Sequence, residues 1–330
     1  MPSVPPRISA IICTHNRDRY LGKAIDSLLC QTPLTGETWV GGETASPESP
    51  FYEVLVVDNG STDRTREVVE ARLGNPRLRY VHEPTLGLSV ARNRAVQETQ
   101  ADILAYLDDD AIASPHWLSH LVQAYETHPK LAIAGGKVTL LWEDQQVPPP
   151  WLSSSLAGNL GAYDLGNEFK LIQQPGLTPR GLNYSIRRLF LAQVGGFDPQ
   201  LGRVGKNLLS NEELQMTALA LQAGWQVAYL PQAIVAHHVA PERMQRRWFL
   251  ERGWWQGISE CYREQIAGEA GWGQFPRGAE RLLRGLYKAL RFHQQPEQVF
   301  ENLVYSYGQV GYLSKVCQGI LLSSDRHISS

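Results

Sequence analysis

The chain has 330 residues, of which 43% are hydrophobic, enough for a sizeable α/β core. Its formal net charge of −2 does not fit a nucleic-acid binder, and no nucleic-acid partner is expected. No apolar run reaches the roughly 18 residues that a membrane-spanning helix needs. Four cysteines without C-x-x-C spacing favour free thiols over a zinc site. With no secretory signal, this pattern indicates a cytoplasmic protein.

Strand and helix patterns alternate along the first 130 residues or so. Short β-branched runs predict strands at 8–13, 53–60, 77–83 and 101–111. Helical spacing of apolar residues follows each of them, at 21–29, 61–73, 89–99 and 116–128. This alternation predicts an α/β fold, Rossmann-like, with a mostly parallel central sheet flanked by helices.

The second half of the chain is less regular. A helix is predicted at 212–224, where Gly224 is a good C-cap residue, and two short strands at 225–231 and 233–239. From about residue 242 the chain is rich in arginine and tryptophan and predicts a C-terminal helical extension. A polar, Gly/Pro-rich insertion at 31–52 reads as a variable surface loop, with a lid as the alternative.

Polar clusters follow three of the predicted strands, at 14–17, 58–63 and 108–110. In parallel sheets, ligands bind beyond the carboxyl ends of the strands. Because the three clusters arise independently and all fall at this edge, together they indicate a binding site more strongly than any one of them does.

The run Asp108, Asp109 and Asp110 is the most specific of these clusters. Adjacent carboxylates repel one another unless a cation or a hydrogen-bond donor lies among them. Strand alternation predicts that Asp108 and Asp110 share a direction, while Asp109 points away or into the turn. Two carboxylates that face the same way suit Mn²⁺ or Mg²⁺. The alternative is an acidic solvated loop.

The other two clusters are open to two interpretations each. Asp58 could accept hydrogen bonds from a base or a ribose, or it could shape the DNGS turn. Thr14, Asn16 and Arg17 lie where a strand leads into a helix, which suits an anion or a nucleobase edge. Alternatively, these residues could form an ordinary helix cap.

Four segments resemble, in order and spacing, the nucleotide-sugar-binding half of family 2 glycosyltransferases. They are CTHNRDRYLGKAIDSLLCQT, VVDNGSTDRT, GLSVARNRAV and LAYLDDDA, the last with the family's D-x-D motif. The third segment carries Gly87, Arg92 and Asn93. The family pattern implies an arginine near the diphosphate, whereas a solvated face is the alternative. The resemblance is strong over 8–115 and extends over 180–240.

RGLNYSIRRLFLAQVGGFD resembles the family's segment before GGFD and places Gly181 and Asn183 on the acceptor or donor-sugar side. SNEELQMTALALQAGWQVAYLP resembles the E-D-x-E-L segment. In that register Glu212 matches the family's Glu, and Glu213 stands where an Asp usually acts as catalytic base. Which of the two acts is open, and both could instead favour the helix N-terminus through its dipole.

Two further motifs are interpreted by resemblance. His237 stands where some family members supply a metal-ligand histidine, with His238 as the less favoured neighbour. MQRRWFLERGWWQG at 244–257 is similar to the Q-x-x-R-W signature of processive synthases but lacks one spacer residue, and no spans accompany it. These arginine- and tryptophan-rich helices either pack on the domain or rest on a membrane surface.

The resemblance implies a GT-A fold with a glycosyltransferase domain at 1–240 and a helical extension at 241–330. Residues 1–115 would form the nucleotide-sugar-binding half and 116–240 the acceptor and catalytic half. The irregular segment at 143–180 would border the acceptor side. The enzyme would act in polysaccharide or glycoconjugate synthesis, in the cytoplasm or on the inner face of the membrane.

The implied reaction is an inverting transfer from a nucleoside-diphosphate sugar, with UDP favoured, to a carbohydrate or lipid-linked acceptor. Asp58 and Thr14 would hold the nucleotide, Asp108 the ribose, and Asp110 the Mn²⁺ or Mg²⁺ ion. Glu213 would deprotonate the acceptor hydroxyl. The alternatives are a nucleotidyltransferase, for which THNRDRY is a poor phosphate loop, and a non-catalytic nucleotide-binding scaffold.

Overall fold

A computed structural model of the protein describes residues 6–34, 51–143, 147–205, 207–266 and 272–328. Most of the insertion predicted at 31–52, including its suggested role as a lid, lies outside the described residues. The chain divides into two compact units. The sheet unit comprises 1–141, 161–200 and 212–238, and the helical unit comprises 142–160, 201–211 and 239–330.

The described residues contain a nine-stranded mixed sheet. Its strands are β1 (Ile8–Thr14), β2 (Tyr52–Asp58), β3 (Leu78–His82), β4 (Ile103–Leu107), β5 (Ala111–Ala113), β6 (Leu131–Trp142), β7 (Lys170–Leu171), β8 (Asn183–Arg187) and β9 (Gln226–Val239). They follow the order β3-β2-β1-β4-β8-β6-β9-β5, and β7 pairs with β9.

Parallel pairing joins β3, β2, β1 and β4, the four strands that the alternating pattern predicted. β2 and β4 are buried along their whole length, as β-branched and apolar runs covered on both faces should be. β8 then pairs antiparallel to β4 and to β6, and β5 pairs antiparallel to β9. The predicted α/β class is confirmed.

The helices are α1 (Asp18–Leu29), α2 (Thr65–Glu70), α3 (Leu88–Glu98), α4 (Trp117–Thr127), α5 (Ser154–Ala157), α6 (Arg188–Val194), α7 (Glu212–Gln222), α8 (Arg246–Ile266), α9 (Phe275–Arg291) and α10 (Pro296–Ile328). In α1, Leu21, Ala24, Ile25 and Leu28 are buried, which agrees with their helical spacing. None of the helices in the described part of the chain combines the length and the apolar character that a membrane crossing needs.

The helical unit contains α8, α9 and α10, where the sequence predicted a helical extension. α8 and α10 approach each other closely, because a Cβ atom added at Gly257 would lie 1.8 Å from the carbonyl oxygen of Gly308. The tryptophans of α8 pack within this unit: Trp248 lies edge-on to Phe249, and Trp254 lies against Tyr307. The four cysteines are free thiols, as their spacing predicted.

The sheet departs from the prediction at β5, β6 and β7, which were not predicted, and at β9, which was predicted as two strands. β6 was not predicted, because Gly135 and Gly136 interrupt its apolar pattern. Both glycines are required by the sheet itself, since a Cβ atom would lie 2.1 Å from the Asn183 oxygen at the first position and 2.0 Å from the Ala233 oxygen at the second. The two short strands predicted at 225–231 and 233–239 form the single strand β9, which runs through Pro231.

Candidate active site

The polar clusters meet at one edge of the sheet. β1 and β2 pair in a register that places Thr14 opposite Asp58, so both strands end at the same level. Residues 108–110 directly follow β4, which pairs with β1 on its other side. The expectation that these three clusters share the carboxyl edge of the parallel strands is therefore confirmed by the pairing.

The acidic run forms the turn between β4 and β5, closed by the Ala111 amide, which donates to the Asp108 carbonyl oxygen at 3.1 Å. Asp109 is buried, and its carboxylate accepts a hydrogen bond from the Thr14 hydroxyl at 2.8 Å. Asp109 thus points into the fold toward Thr14, at the end of β1.

Asp110 lies beside His237. The two side chains are both 4% exposed, and Asp110 Oδ1 is 3.0 Å from His237 Nε2. The pairing of β5 with β9 sets this contact, since it places Ala111 opposite His237. His238, the neighbouring residue on β9, instead lies against the Tyr20 ring at 5.4 Å between ring centroids. The His237 ring thus lies at the Asp110 carboxylate, while the His238 backbone amide donates to the Asp110 carbonyl oxygen at 2.9 Å.

Negative charge is concentrated at this turn. Burial, together with the negative charge of Asp110, raises the pKa of Asp109 to about 7. Arg17 Nη1 lies 3.9 Å from Asp110 Oδ2. Burial lowers the pKa of Arg17, but the charges of the three carboxylates outweigh it and leave the pKa above its usual value. Three adjacent carboxylates, two of them buried, form an environment that favours a further cation.

The Asp110–His237 pair fits a divalent metal ion. Two ligands placed at right angles on Mg²⁺, each about 2.1 Å away, are separated by roughly 3.0 Å, which is the separation seen here. Across the described residues, no group of three or more histidines, cysteines and carboxylates is arranged to hold a metal. The remaining ligands would have to come from a bound diphosphate and water, as is common for Mg²⁺.

Asp58 fixes the turn that follows β2. Its carboxylate accepts hydrogen bonds from the Ser61 amide at 2.9 Å and from the Tyr80 hydroxyl at 2.7 Å. Burial and the Asp58 charge raise the pKa of Tyr80 to about 12, so this hydroxyl remains a donor at neutral pH. Asp58 is itself only 2% exposed. Both interpretations of Asp58 therefore remain compatible with its position, and its role in shaping the turn is directly visible.

Asn16 joins the loops that follow β1 and β2. Its backbone is left-handed, with φ at 54°, a conformation that asparagine tolerates. Its side-chain oxygen accepts hydrogen bonds from the backbone amides of Thr62 at 2.7 Å and Asp63 at 3.3 Å. The backbone amide of Asn16 donates a hydrogen bond to the Ser61 hydroxyl. Asn16 thus fixes the two loops relative to each other at the carboxyl edge of the sheet.

Asn59 was missed by the sequence reasoning. Its side chain accepts from the Gly87 amide at 2.8 Å and donates to the carbonyl oxygens of Glu83 and Thr85. It therefore positions the start of α3, where Gly87 has φ of 146°. The DNG sequence carried the signal, since asparagine at such a turn often bonds the backbone.

Arg92 is buried in the sheet unit and 2% exposed. Its guanidinium group lies 3.2 Å from Glu212 Oε1 and 2.9 Å from Glu213 Oε1, above the rings of Tyr106 and Phe197. The solvated-face alternative for this arginine is wrong. Its described charge partners are the two candidate base residues, so the guanidinium group positions them.

Glu212 and Glu213 begin α7, where a carboxylate is also stabilised by the helix dipole. The Glu212 side chain is 4% exposed and that of Glu213 is 14% exposed, so Glu213 is the more accessible to a substrate. Burial raises the pKa of Glu213, but the Arg92 charge and the hydrogen bonds from the backbone, Arg92 and Glu212 together outweigh burial and hold the pKa below its ordinary value. Glu213 is therefore ionised at neutral pH.

Gly181 lies directly beside this cluster. A Cβ atom at this position would stand 1.9 Å from Glu213 Oε1 and 2.6 Å from Arg92 Nη2. The glycine therefore allows the loop before β8 to pass close to the carboxylate. Arg180, which the sequence reasoning did not select, stacks over the Tyr163 ring at 5.3 Å and interacts electrostatically with Glu213.

Two predicted site residues have structural partners instead. Asn183 is fully buried; its amide donates to the carbonyl oxygens of Lys137 and Ala233 and accepts from the Trp117 indole. The expectation that Asn183 faces the acceptor or donor sugar is therefore corrected, because its side-chain atoms are bonded to two strands of the sheet and to Trp117 of α4. Asn93 similarly accepts from and donates to the backbone of Phe197, which holds the GGFD turn in place rather than a nucleotide.

Tyr184 is a further residue that the sequence reasoning did not select. Its buried hydroxyl has no hydrogen-bond partner among the residues that the structure describes. It interacts electrostatically with the charged side chains of Glu213 and Arg92. Burial and the Glu213 charge raise its pKa well above the ordinary value, so it stays protonated. No motif or characteristic spacing in the sequence marks Tyr184, so only the three-dimensional structure reveals it.

Solved structures with this fold define the class of protein. Mannosyltransferase PcManGT from Pyrobaculum calidifontis, determined with GDP-Man and Mn²⁺, matches with a TM-score of 0.55 at 16% identity, covering 99% of this chain and 81% of that one. GalNAc-T7, determined with UDP, GalNAc and Mn²⁺, matches with a TM-score of 0.52 at 15% identity, covering 78% of this chain and 51% of that one. The fold is the GT-A fold of glycosyltransferases.

Sequence comparison then identifies the family. The model of glycosyl transferase family 2 matches residues 9–178, and that of glycosyl transferase family group 2 matches residues 103–325. The chain belongs to glycosyl transferase family 2, and it is a glycosyltransferase.

Curated relatives agree with this assignment. Glucosyl-dolichyl phosphate glucuronosyltransferase of Haloferax volcanii is 26% identical over 77% of this chain and 76% of its own length. Succinoglycan biosynthesis protein ExoM of Rhizobium meliloti is 27% identical over 76% of this chain and 73% of its own. Validoxylamine A glucosyltransferase of Streptomyces hygroscopicus subsp. limoneus is 34% identical over 58% of this chain, which spans only 44% of that relative.

Proposed function

We propose that this glycosyltransferase moves a sugar from a nucleoside-diphosphate sugar, with a UDP-sugar favoured, to a hydroxyl of a carbohydrate or lipid-linked acceptor, with inversion. The observation that carries the proposal is the buried Asp110–His237 pair, 3.0 Å apart at the carboxyl edge of the parallel strands. Two solved structures of this fold contain a nucleotide or nucleotide sugar together with Mn²⁺. A relative that acts on glucosyl-dolichyl phosphate supports a lipid-linked acceptor.

On the donor side, the nucleotide would lie over the loops after β1 and β2, which Asn16 joins, and Asp58 shapes the second of these loops. Asp108 is the most exposed of the three acidic residues and would accept from the ribose hydroxyls. Asp110 and His237 would hold Mn²⁺ or Mg²⁺ against the diphosphate. When bound, the metal neutralises the charge that builds up on the leaving group.

On the acceptor side, Glu213 would take the proton from the attacking hydroxyl. Arg92 keeps this carboxylate ionised and fixes its orientation, and Gly181 allows the loop before β8 to pass close to it. General-base assistance of this kind contributes on the order of 10²–10⁴ in rate. One base and an attack opposite the leaving group would give inversion of the anomeric carbon.

A thermal-shift panel tests the donor side. UDP, GDP and dTDP and their sugars are each added with and without Mn²⁺ to the wild-type protein and to Asp110→Asn. We expect one nucleotide to raise the melting temperature of the wild type in the presence of Mn²⁺ only, and this shift to be lost in Asp110→Asn. Asp26→Asn is the matched control, because Asp26 pairs with Arg72 on the surface of α1.

Two outcomes would contradict the proposal. A metal-dependent shift that survives in Asp110→Asn would remove the metal site from this turn. Binding of UDP with no release of UDP from any UDP-sugar, across a range of acceptors, would instead support a non-catalytic scaffold. Release of pyrophosphate from a nucleoside triphosphate would identify a nucleotidyltransferase.

A further inference from the structure

Helix α9 (Phe275–Arg291) exposes its largest apolar side chains. Leu283 is 67% exposed, Tyr287 is 64% exposed and Leu290 is 75% exposed, and Leu286 adds to them at 42%. The positions are spaced i, i+3, i+4 and i+7, so they form one continuous stripe along the helix. We call these four residues the leucine stripe. A stripe of this kind is normally the face that a surface helix buries.

The face that α9 does bury consists mainly of small residues. Gly278, Gly285 and Ala289 are buried against α10. A Cβ atom at Gly285 would lie 2.4 Å from the Ser306 hydroxyl, and one at Gly278 would lie 2.7 Å from a methyl group of Leu313. The close approach to α10 therefore fixes which face is turned inward. The packing of this unit therefore leaves the leucine stripe facing outward, and the stripe is not part of the unit's core.

Basic side chains lie alongside the leucine stripe. Arg277, Arg281, Arg284, Lys288 and Arg291 share this helix with the single acidic residue Glu280, so α9 carries a net charge of +4 in a chain whose net charge is −2. Arg284 and Lys288 are spaced i, i+4, and Arg291 follows at i+7 of Arg284, which forms a second stripe next to the first. An exposed apolar stripe beside a basic one is the pattern of helices that lie in the surface of a membrane.

We propose that α9 docks the enzyme on an anionic lipid surface. The leucine stripe would enter the headgroup boundary while Lys288, Arg291 and Arg284 meet the lipid phosphates. A second copy of the chain fits less well, because a symmetric contact through this stripe would bring two helices of charge +4 together. The proposal deepens the peripheral membrane contact considered from the sequence and places it on α9, whose leucines are up to 75% exposed, whereas Trp254 of α8 lies against Tyr307.

Co-sedimentation with vesicles tests this surface without donor or acceptor, so its outcome is independent of the transferase assay. The full-length protein is mixed with vesicles of phosphatidylcholine alone or of phosphatidylcholine with phosphatidylglycerol. We expect sedimentation with the anionic vesicles only. The double variant Leu283→Ser, Leu290→Ser should lose it at least tenfold, whereas Leu189→Ser, which alters a 58% exposed leucine of α6, should bind as the wild type does.

Charge reversal gives a second, independent test. Lys288→Glu should weaken binding on the order of fivefold for each unit of charge changed near the membrane. Arg247→Glu is the control, because that side chain is 85% exposed on α8. Unchanged melting temperatures show that the variants are folded. A wild type that ignores anionic vesicles overturns the proposal. So does a dimer in solution that the leucine double variant converts to a monomer, since the stripe would then be an interface between copies.

Discussion

In the buried cluster of Arg92, Glu212 and Glu213, the two carboxylates differ in their exposure. Glu212 is the more enclosed, at 4% side-chain exposure, and Glu213 is the one that a substrate can reach. Arg92 contacts both carboxylates, and Arg180 adds an electrostatic interaction with Glu213. Residue-level tests should therefore separate catalysis from stability within the same cluster.

Glu213→Gln should lower kcat on the order of 10²–10⁴ and leave donor binding unchanged, because the amide cannot accept the acceptor's proton. Glu212→Gln should retain turnover, since this carboxylate is more deeply enclosed. Initial rates of UDP release and a donor titration for both variants make the comparison. An inactive Glu212→Gln beside an active Glu213→Gln would reverse the two roles.

Arg92→Met should lower the free energy of unfolding by about 3–5 kcal/mol, because it leaves two buried carboxylates without their cation. Arg94→Met is the matched control on the same helix, since Arg94 pairs with Glu98 at a half-exposed i, i+4 position and should contribute less than about 1 kcal/mol. Urea unfolding at neutral pH measures both. Equal losses for the two variants would mean that the Arg92 cluster is not the buried ionic centre of the unit.

The contribution of the cluster depends on pH in a fixed direction. The folded-state pKa of Glu213 lies below its ordinary value of 4.5, so the stability from its ionised form is present above that value. It is lost as the pH falls through the lowered folded-state pKa. The gap in unfolding free energy between the wild type and Arg92→Met should therefore narrow in acid, and a gap that widens there would contradict the assignment.

At the scale of elements, β6 is a central strand that the sequence pattern did not predict. Its glycines reduce the strand signal, yet each one occupies a position where a neighbouring backbone passes too close for a Cβ atom. The residues that hide the strand from a pattern search are thus the ones that allow it to pair centrally. β9 was split in prediction for a similar reason, because Pro231 interrupts its pattern.

Gly136→Ala should lower the free energy of unfolding by roughly 1–3 kcal/mol, because the added methyl group would lie 2.0 Å from the Ala233 oxygen and 2.4 Å from that of Leu230. Gly74→Ala is the control, as nothing lies within 4 Å of a Cβ atom there. The control should be neutral or stabilising by up to about 1 kcal/mol. Thermal and urea unfolding compare them, and two equal effects would argue against close strand approach at Gly136.

At the scale of the whole molecule, charge is distributed unevenly. The chain has a net charge of −2 and α9 contributes +4, so the remaining residues together carry −6. Overall charge would predict repulsion from an anionic surface, whereas the local charge of α9 predicts attraction. Local charge should prevail, because interactions between exposed charges are screened beyond about 8 Å at physiological salt.

Binding to anionic vesicles should therefore weaken as NaCl is raised, while the leucine stripe retains a residual affinity that salt does not remove. Co-sedimentation at low and at high salt measures both components. The Leu283→Ser, Leu290→Ser variant should lose the residual component, and Lys288→Glu should reduce the salt-dependent one. Binding that does not change with salt would show that the basic stripe contributes nothing.

The sequence by itself determined the parallel strands β1 to β4, the polar clusters at their carboxyl ends and the family. These features are local, since strand alternation, turn composition and motif spacing are written in neighbouring residues. The same local reasoning failed at Asn183, whose side chain is oriented by three distant partners.

Only the tertiary structure decided which distant residues meet. Arg92 reaches Glu212 and Glu213 across 120 and 121 positions, and Asp110 meets His237 across 127. No periodicity encodes such pairings, because they depend on which strands become neighbours in the sheet. The outward turn of the leucine stripe is likewise a tertiary outcome, since an apolar stripe predicts burial until the close packing of Gly278 and Gly285 assigns the inner face.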